Sequence, residues 1–178
     1  MDVKSRHHLR GDEIDDIVER IEAQLGVIVE GDSWEDVEFV DDDRRVVLVD
    51  GEPAVAFFGG PGSADGSGAR RSPEGFDGGE PFPTVQGANR FPPERRVVTV
   101  DAGAVSFVSD GANVMRPGIV AADDAIDPGD LVVIAEETHG KALAVGRAGV
   151  SGDGMVGDSG KVVDSLHHVG DDLYEFSV

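Results

Sequence analysis

The sequence predicts an α+β fold in two parts, a small α+β unit over residues 1–94 and a closed or nearly closed β-barrel over residues 95–178. Three observations support this prediction. Apolar residues at helical spacing are concentrated near the N-terminus, short β-prone segments separated by turn residues fill most of the rest, and a stretch rich in Gly, Ser, Pro and acid at 59–81 separates the two parts. With 39% apolar residues, the chain can bury a core.

The first part begins with a basic segment, residues 1–10, which we expect to be a tail. An amphipathic helix follows, with Asp12 as a candidate cap at its start and Gly26 just beyond its end. Its apolar residues recur at helical spacing: Ile14, Ile17, Val18, Ile21 and Leu25. We interpret this stripe as a core face, and a partner-docking face is the alternative.

Four short strands are predicted next, at 27–29, 37–40, 46–49 and 54–58. Asp50-Gly51 between the last two is a typical hairpin turn. Residues 59–81 cannot bury enough apolar surface to offset the entropy of ordering, so we predict a flexible loop or insertion there.

The second part alternates strands and turns. A strand at 97–100 precedes a short helix that Asp101 can cap and that ends at Gly111. Strands at 131–137 and 142–150 form a predicted hairpin across Thr138-His139-Gly140, and further strands are expected at 161–169 and 173–178. About six short strands with one small helix favour a barrel.

Charge is the strongest compositional signal. The chain has 36 acidic and 15 basic residues, a net charge of −21, and only three lysines: Lys4, Lys141 and Lys161. Such a charge repels itself in dilute buffer, whereas at molar salt the screening length falls to roughly 3 Å. We therefore expect a protein adapted to a salt-rich cytoplasm. A disordered acidic chain is less favoured because periodic apolar segments run along most of the sequence.

Several site classes find little support. The absence of Cys excludes disulfides and cysteine nucleophiles. No apolar run approaches the roughly 20 residues of a membrane span. Adjacent histidines on a strand face opposite ways, which disfavours a metal site at His167 and His168. Gly152, Gly154 and Gly157 precede a predicted strand, not the helix that a dinucleotide site needs. We predict no cofactor, no metal and no catalytic residue.

Residues 101–119, which read Asp-Ala-Gly-Ala-Val-Ser-Phe-Val-Ser-Asp-Gly-Ala-Asn-Val-Met-Arg-Pro-Gly-Ile, resemble the start of a PUA domain, named for pseudouridine synthases and archaeosine transglycosylases. Segments 128–134, 141–148 and 160–174 fit the same domain in order. With the preceding helix, short strands and Phe-Pro connectors, the chain resembles archaeal, haloarchaeal-like members of the malignant-T-cell-amplified-sequence family. The resemblance implies a C-terminal PUA pseudo-β-barrel after an N-terminal α+β unit.

The resemblance also implies an RNA-binding face. Small residues would admit a phosphate backbone, free N–H groups near Gly103 and Ala104 would donate to an anion, and Arg116 and Asn113 would contact phosphate or base edges. The full set of expected contacts is Gly103, Ala104, Gly111, Ala112, Asn113, Met115, Arg116, Lys161 and His167.

Eukaryotic members of this family are translation factors that bind the small ribosomal subunit. We therefore expect a non-catalytic, translation-associated protein that is monomeric and binds structured ribosomal or transfer RNA, with an initiation-factor-like protein as a possible partner. Two alternatives stay open. One is an RNA-binding accessory subunit of a pseudouridine or archaeosine modification system, and the other is a protein-interaction module whose PUA face no longer binds RNA.

Overall fold

The computed structural model describes residues 1–40, 44–59, 70–72, 75–77 and 79–177. These residues form two large sheets, a two-stranded ribbon and four α-helices. The α+β class is confirmed, and the second sheet is the nearly closed barrel that the sequence predicts.

The N-terminal sheet is antiparallel with the order β1-β2-β3-β4-β7. Its strands are β1 Val3–His8, β2 Trp34–Phe39, β3 Arg45–Val49, β4 Glu52–Phe58 and β7 Glu80–Pro83. The hairpin between β3 and β4 turns at Asp50 and Gly51, whose φ angles are 54° and 85°, as predicted. The prediction of a basic N-terminal tail is wrong, because residues 3–8 form a strand that pairs with β2 at the edge of this sheet.

Helix α1, Gly11–Leu25, packs its apolar stripe on the protein interior. Ile17, Ile21 and Leu25 are buried, which confirms the core interpretation of this face. Gly26 ends the helix at φ 70°, and its N–H donates to the Glu22 carbonyl. Asp12 is not the cap, since the helix begins one residue earlier and no side chain caps its start.

The region between the sheets differs most from expectation. Residues 27–29 form no strand, and β7 at Glu80–Pro83 overlaps the end of the predicted insertion. Within that insertion, β5 Arg70–Ser72 and β6 Gly75–Asp77 pair as a ribbon, whereas residues 60–69 lie outside the described residues. Helix α2, Val85–Arg90, was not predicted from the sequence. Thr84 is its N-cap, and the Thr84 hydroxyl accepts from the Gly87 N–H at 3.0 Å.

The barrel sheet has the order β10-β8-β11-β12-β13-β9. Its strands are β8 Val97–Val100, β9 Val114–Met115, β10 Ile119–Ala122, β11 Leu131–Glu136, β12 Ala142–Ala148 and β13 Lys161–His168. Helix α3, Ala102–Ser109, follows β8. The predicted last strand is wrong: Asp172–Glu175 is a short helix, α4, because the Asp171 carboxylate caps the Tyr174 N–H at 2.8 Å.

The two sheets share one core. Successive residues of a strand face opposite ways, and β11 is buried on both faces. Leu131 and Val133 pack with the N-terminal sheet, whereas Val132 and Ile134 fill the barrel interior. One apolar cluster therefore contains residues of both parts, a second cluster fills the barrel, and the division at residue 94 stays a prediction.

Candidate nucleic-acid interface

The Asp101 carboxylate caps the N-terminus of α3. Asp101 Oδ1 accepts from the Ala104 N–H at 3.0 Å, and the Asp101 N–H donates to the Gly118 carbonyl at 2.9 Å. The expectation of a free donor at Ala104 is therefore wrong, and the adjacent negative charge disfavours an anion at this helix end. Gly103 is exposed, and a Cβ on Gly118 would lie 2.8 Å from the Ala104 Cβ, so glycine at 118 permits the close approach of this turn.

The turn after α3 packs against the end of β13. Gly111 has a φ of 91°, and a Cβ there would lie 2.7 Å from His168 Nε2. Ala112 and Asn113 are exposed. The Asn113 Oδ1 accepts from the Ser165 N–H at 2.9 Å, which holds the turn on β13 and leaves the amide NH2 group with no partner among the described residues.

Met115 and Lys161 are cross-strand neighbours on β9 and β13. Met115 is 49% exposed. The Lys161 ammonium lies 2.7 Å from the Asp164 carboxylate at the surface, so its charge is partly compensated. The structure thus brings together the predicted residues from the helix start, the turn and the first residue of β13.

Arg116 is half-buried, and its side chain binds the loop that precedes β13. Its Nε donates to the Gly154 carbonyl at 2.9 Å and its Nη1 to the Ser159 carbonyl at 3.0 Å. A Cβ on Gly157 or Gly160 would lie 2.9 Å from the Arg116 side chain, so both glycines admit it. Arg116 therefore positions the loop at 151–160 beside the turn, a role that the expected phosphate contact did not include.

His167 is fully buried, and its assignment to the RNA face is wrong. Its Nε2 accepts from the Val85 N–H at 3.1 Å, which makes Nδ1 the protonated nitrogen that faces Asp171 Oδ2 at 2.8 Å. Burial raises the pKa of Asp171, but hydrogen bonds from His167 and from the His168 and Tyr174 amides outweigh it and lower that pKa to about 2. His167 joins the barrel to α2.

Sequence reasoning missed Phe107, which is 66% exposed on α3. Phe107 lies four residues after Gly103, so both share one flank of the helix, and its carbonyl accepts from the Ala112 N–H at 3.0 Å. Helical spacing could have identified it, because Val108 is the inward residue of that turn. An exposed aromatic ring can stack on a nucleic-acid base.

We call the surface formed by Gly103, Phe107, residues 111–113, Met115 and Lys161 the α3 face. Acidic residues surround it, since Asp110, Asp158 and Asp164 are all exposed. Its own cation, Lys161, pairs with the Asp164 carboxylate, and the neighbouring Arg116 donates to two backbone carbonyls. The α3 face thus lacks a basic patch and offers shape, apolar contact and hydrogen bonds instead.

The described residues also bear on metal binding and on membrane insertion. Within this part of the chain, no group of three or more His, Asp and Glu side chains is placed to hold a metal ion. No helix in the same residues has both the length and the apolar character needed to cross a membrane.

Comparison with known proteins extends these observations. The PUA domain model matches residues 96–170. An uncharacterized protein of Methanocaldococcus jannaschii is 35% identical over 138 residues, which cover 77% of this chain and 74% of that protein. Translation machinery-associated protein 20 of Saccharomyces cerevisiae is 35% identical over 106 residues, 56% of this chain and 59% of the yeast protein. The malignant T-cell-amplified sequence 1 homolog of Drosophila melanogaster is 33% identical over 98 residues, 53% of this chain and 54% of the fly protein.

A solved structure agrees over almost the whole chain. The crystal structure of a hypothetical protein from Pyrococcus horikoshii OT3 superposes with a TM-score of 0.75 at 28% identity, covering 98% of this chain and 100% of that one. The chain belongs to the family of PUA-domain proteins that includes translation machinery-associated protein 20, malignant T-cell-amplified sequence 1 and their archaeal relatives.

Proposed function

We propose that this protein is a non-catalytic, translation-associated RNA-binding protein of the cytoplasm. It holds structured RNA, ribosomal or transfer RNA, against the α3 face and acts by positioning, without making or breaking a bond. Its family membership and the shape of the α3 face support this function.

The observation that carries the proposal is the exposed apolar surface at the α3 face. Phe107 and Met115 are 66% and 49% exposed, and Gly103, Gly111 and Ala112 beside them add almost no side-chain bulk. Base stacking on an aromatic ring contributes about 1–3 kcal/mol and does not depend on charge. Such contacts suit a chain with a net charge of −21, for which long-range attraction to phosphate is absent.

The translation role rests on the relatives. The yeast relative is named for its association with the translation machinery, and this chain covers 59% of its length. We further propose that the protein binds the small ribosomal subunit. In this proposal it acts as a monomer, with an initiation-factor-like protein as its partner.

The direct test is RNA affinity with a pair of matched charge variants. Met115→Glu places a carboxylate on the α3 face, whereas Val3→Glu makes the same change at a residue of similar exposure in the other sheet, 44% against 49%. Binding to purified transfer RNA and to small ribosomal subunits would be measured at molar KCl.

We expect Met115→Glu to weaken binding about tenfold, through the loss of an apolar contact and the repulsion of phosphate, with Val3→Glu within about twofold of the native protein. Equal effects of the two variants, or no binding of either RNA by the native protein, would overturn the proposal. RNA crosslinking in intact cells would identify the target: enrichment of ribosomal or transfer RNA supports translation, and enrichment of a single modified locus contradicts it.

A further inference from the structure

The segment between α1 and β2 has the composition of a strand but pairs with no strand in the part of the chain that the structure describes. Val27, Ile28 and Val29 are β-branched, which favours extended pairing. Nevertheless, the backbone N–H and C=O groups of residues 27–30 make no hydrogen bond with any residue in the described part of the chain. Ile28 is 52% exposed. Backbone N–H and C=O groups left unpaired in this way can pair with another strand.

An open groove of about 480 Å³ with a mixed polar and apolar lining runs beside this segment. Ile14 and Val18 of α1 form one wall, and Val29 and Trp34, which are 2% and 5% exposed, contribute to its floor. We call this surface the α1–β2 groove. Because one wall belongs to helix α1, the groove can contact the alternate side chains of an added strand.

The rim of the α1–β2 groove is acidic. Glu30 and Asp32 line it, and Asp15 and Glu22 lie three and four residues from Val18, on the same side of α1. Among the described residues that line the groove, none is Lys or Arg. At the C-terminal end of α1, Arg95 donates to the Glu22 carbonyl at 3.0 Å. A second copy of this chain, with its charge of −21, is a poor match for such a rim.

We propose that the α1–β2 groove binds an extended segment of a partner protein in which apolar residues alternate with Lys or Arg. The partner backbone pairs with residues 27–30, its apolar side chains enter the groove against Ile14 and Val18, and its cations meet the acidic rim. The groove lies in the N-terminal part of the chain, so this interaction is independent of the proposed RNA site.

The probe is a synthetic octapeptide that alternates Val with Lys or Arg, added to the full chain. Hydrogen exchange followed by NMR would report each backbone amide. We expect new protection at alternate amides within residues 27–30, the signature of strand pairing. The same peptide with Glu in place of its cations, and one N-methylated at every second residue, should not bind.

Two variants at one residue separate backbone pairing from side-chain contact. Because the Ile28 N–H has no partner among the described residues, Ile28→Pro removes a donor at little cost to stability. Ile28→Ala, in contrast, keeps the N–H and removes the side chain. If the Ile28 amide is among the protected ones, Ile28→Pro should weaken peptide binding at least about fivefold, and Ile28→Ala by less. If Val27 and Val29 are protected instead, Val27→Pro should have that effect.

Three outcomes would overturn the proposal. Protection confined to β1, the open edge of the N-terminal sheet, would place the peptide elsewhere. Self-association of the chain through residues 27–30 would make the occupant a second copy. Equal binding of the cationic and the Glu-containing peptides would remove the role of the acidic rim.

Discussion

The two ends of β13 differ in what they do, although both lie in the segment that resembles a PUA domain. At its start, Lys161 is exposed beside Met115 on the α3 face. At its end, His167 is fully buried and joins Val85 of α2 to Asp171. A single motif therefore contains residues of a binding surface and residues of a structural joint, and only their neighbours in space distinguish the two.

We call the contacts of His167 with Val85 and Asp171 the joint, and we expect the largest loss of stability from a substitution there. His167→Ala leaves the Val85 N–H and the Asp171 carboxylate without their partner inside the protein and opens a cavity, which should lower the free energy of unfolding by about 3 kcal/mol. Urea unfolding would measure it, with Trp34 fluorescence and far-UV circular dichroism as separate probes. Because the two sheets share a core, both probes should show one transition.

The control for this change is His139→Ala in the exposed β11–β12 turn, expected within about 0.5 kcal/mol of the native protein. A loss of less than about 1 kcal/mol for His167→Ala would contradict the role of the joint.

Asp171 makes the joint sensitive to acid. Its pKa in the folded protein is about 2, below its ordinary value of 3.8, so its ionised form stabilises the fold fully above pH 4 and this contribution is lost as the pH falls from about 4 towards 2. Because the carboxylate is partly solvated, we expect Asp171→Asn to cost about 1–2 kcal/mol at neutral pH. Stability curves of the native protein and the variant should converge below pH 3, and parallel curves would exclude this contribution.

The α3 face should show the opposite pattern, with changed affinity and unchanged stability. Phe107→Ala removes an exposed ring, so we expect RNA affinity to fall about tenfold while the free energy of unfolding stays within about 0.5 kcal/mol. Phe107→Tyr keeps a ring that can stack and should bind within about twofold of the native protein. If the Ala and Tyr variants bound RNA equally well, Phe107 would not be a contact.

The smallest effect concerns the two lysines of the barrel. Lys161→Glu should weaken RNA binding about threefold, a modest loss because Asp164 already compensates part of the charge. Lys141→Glu is the matched control, since Lys141 lies at the opposite end of the antiparallel β12–β13 pair, roughly 30 Å away along the strands. Equal responses to the two substitutions would indicate general charge repulsion and not a local contact.

Local signals predicted the elements that local interactions determine. Gly26 ends α1, Asp50-Gly51 turns a hairpin and Asp101 caps α3, because each of these depends only on residues nearby in the chain. The strand predicted at 173–178 failed for the complementary reason: the carboxylate of Asp171 supplies a helix cap that outweighs the β-prone composition.

The candidate site was predictable only in part. Met115 pairs with Lys161 and Asn113 accepts a hydrogen bond from β13, but the face on which His167 lies depends on bulges in β13. The register shifts between Lys161 and Val163, and again opposite Val145 and Gly146. Each shift moves later side chains to the other face, and a pattern of alternating residues cannot locate it.

The proposed RNA site on the α3 face can be tested directly by crosslinking. The native protein would be crosslinked to small ribosomal subunits or transfer RNA at molar KCl, and the modified residues would be mapped by mass spectrometry. Crosslinks concentrated at Phe107 and residues 111–115, and lost in Met115→Glu but not in Val3→Glu, are the predicted result. Crosslinks concentrated in residues 1–40, with the α3 face unmodified, would contradict the proposed RNA site.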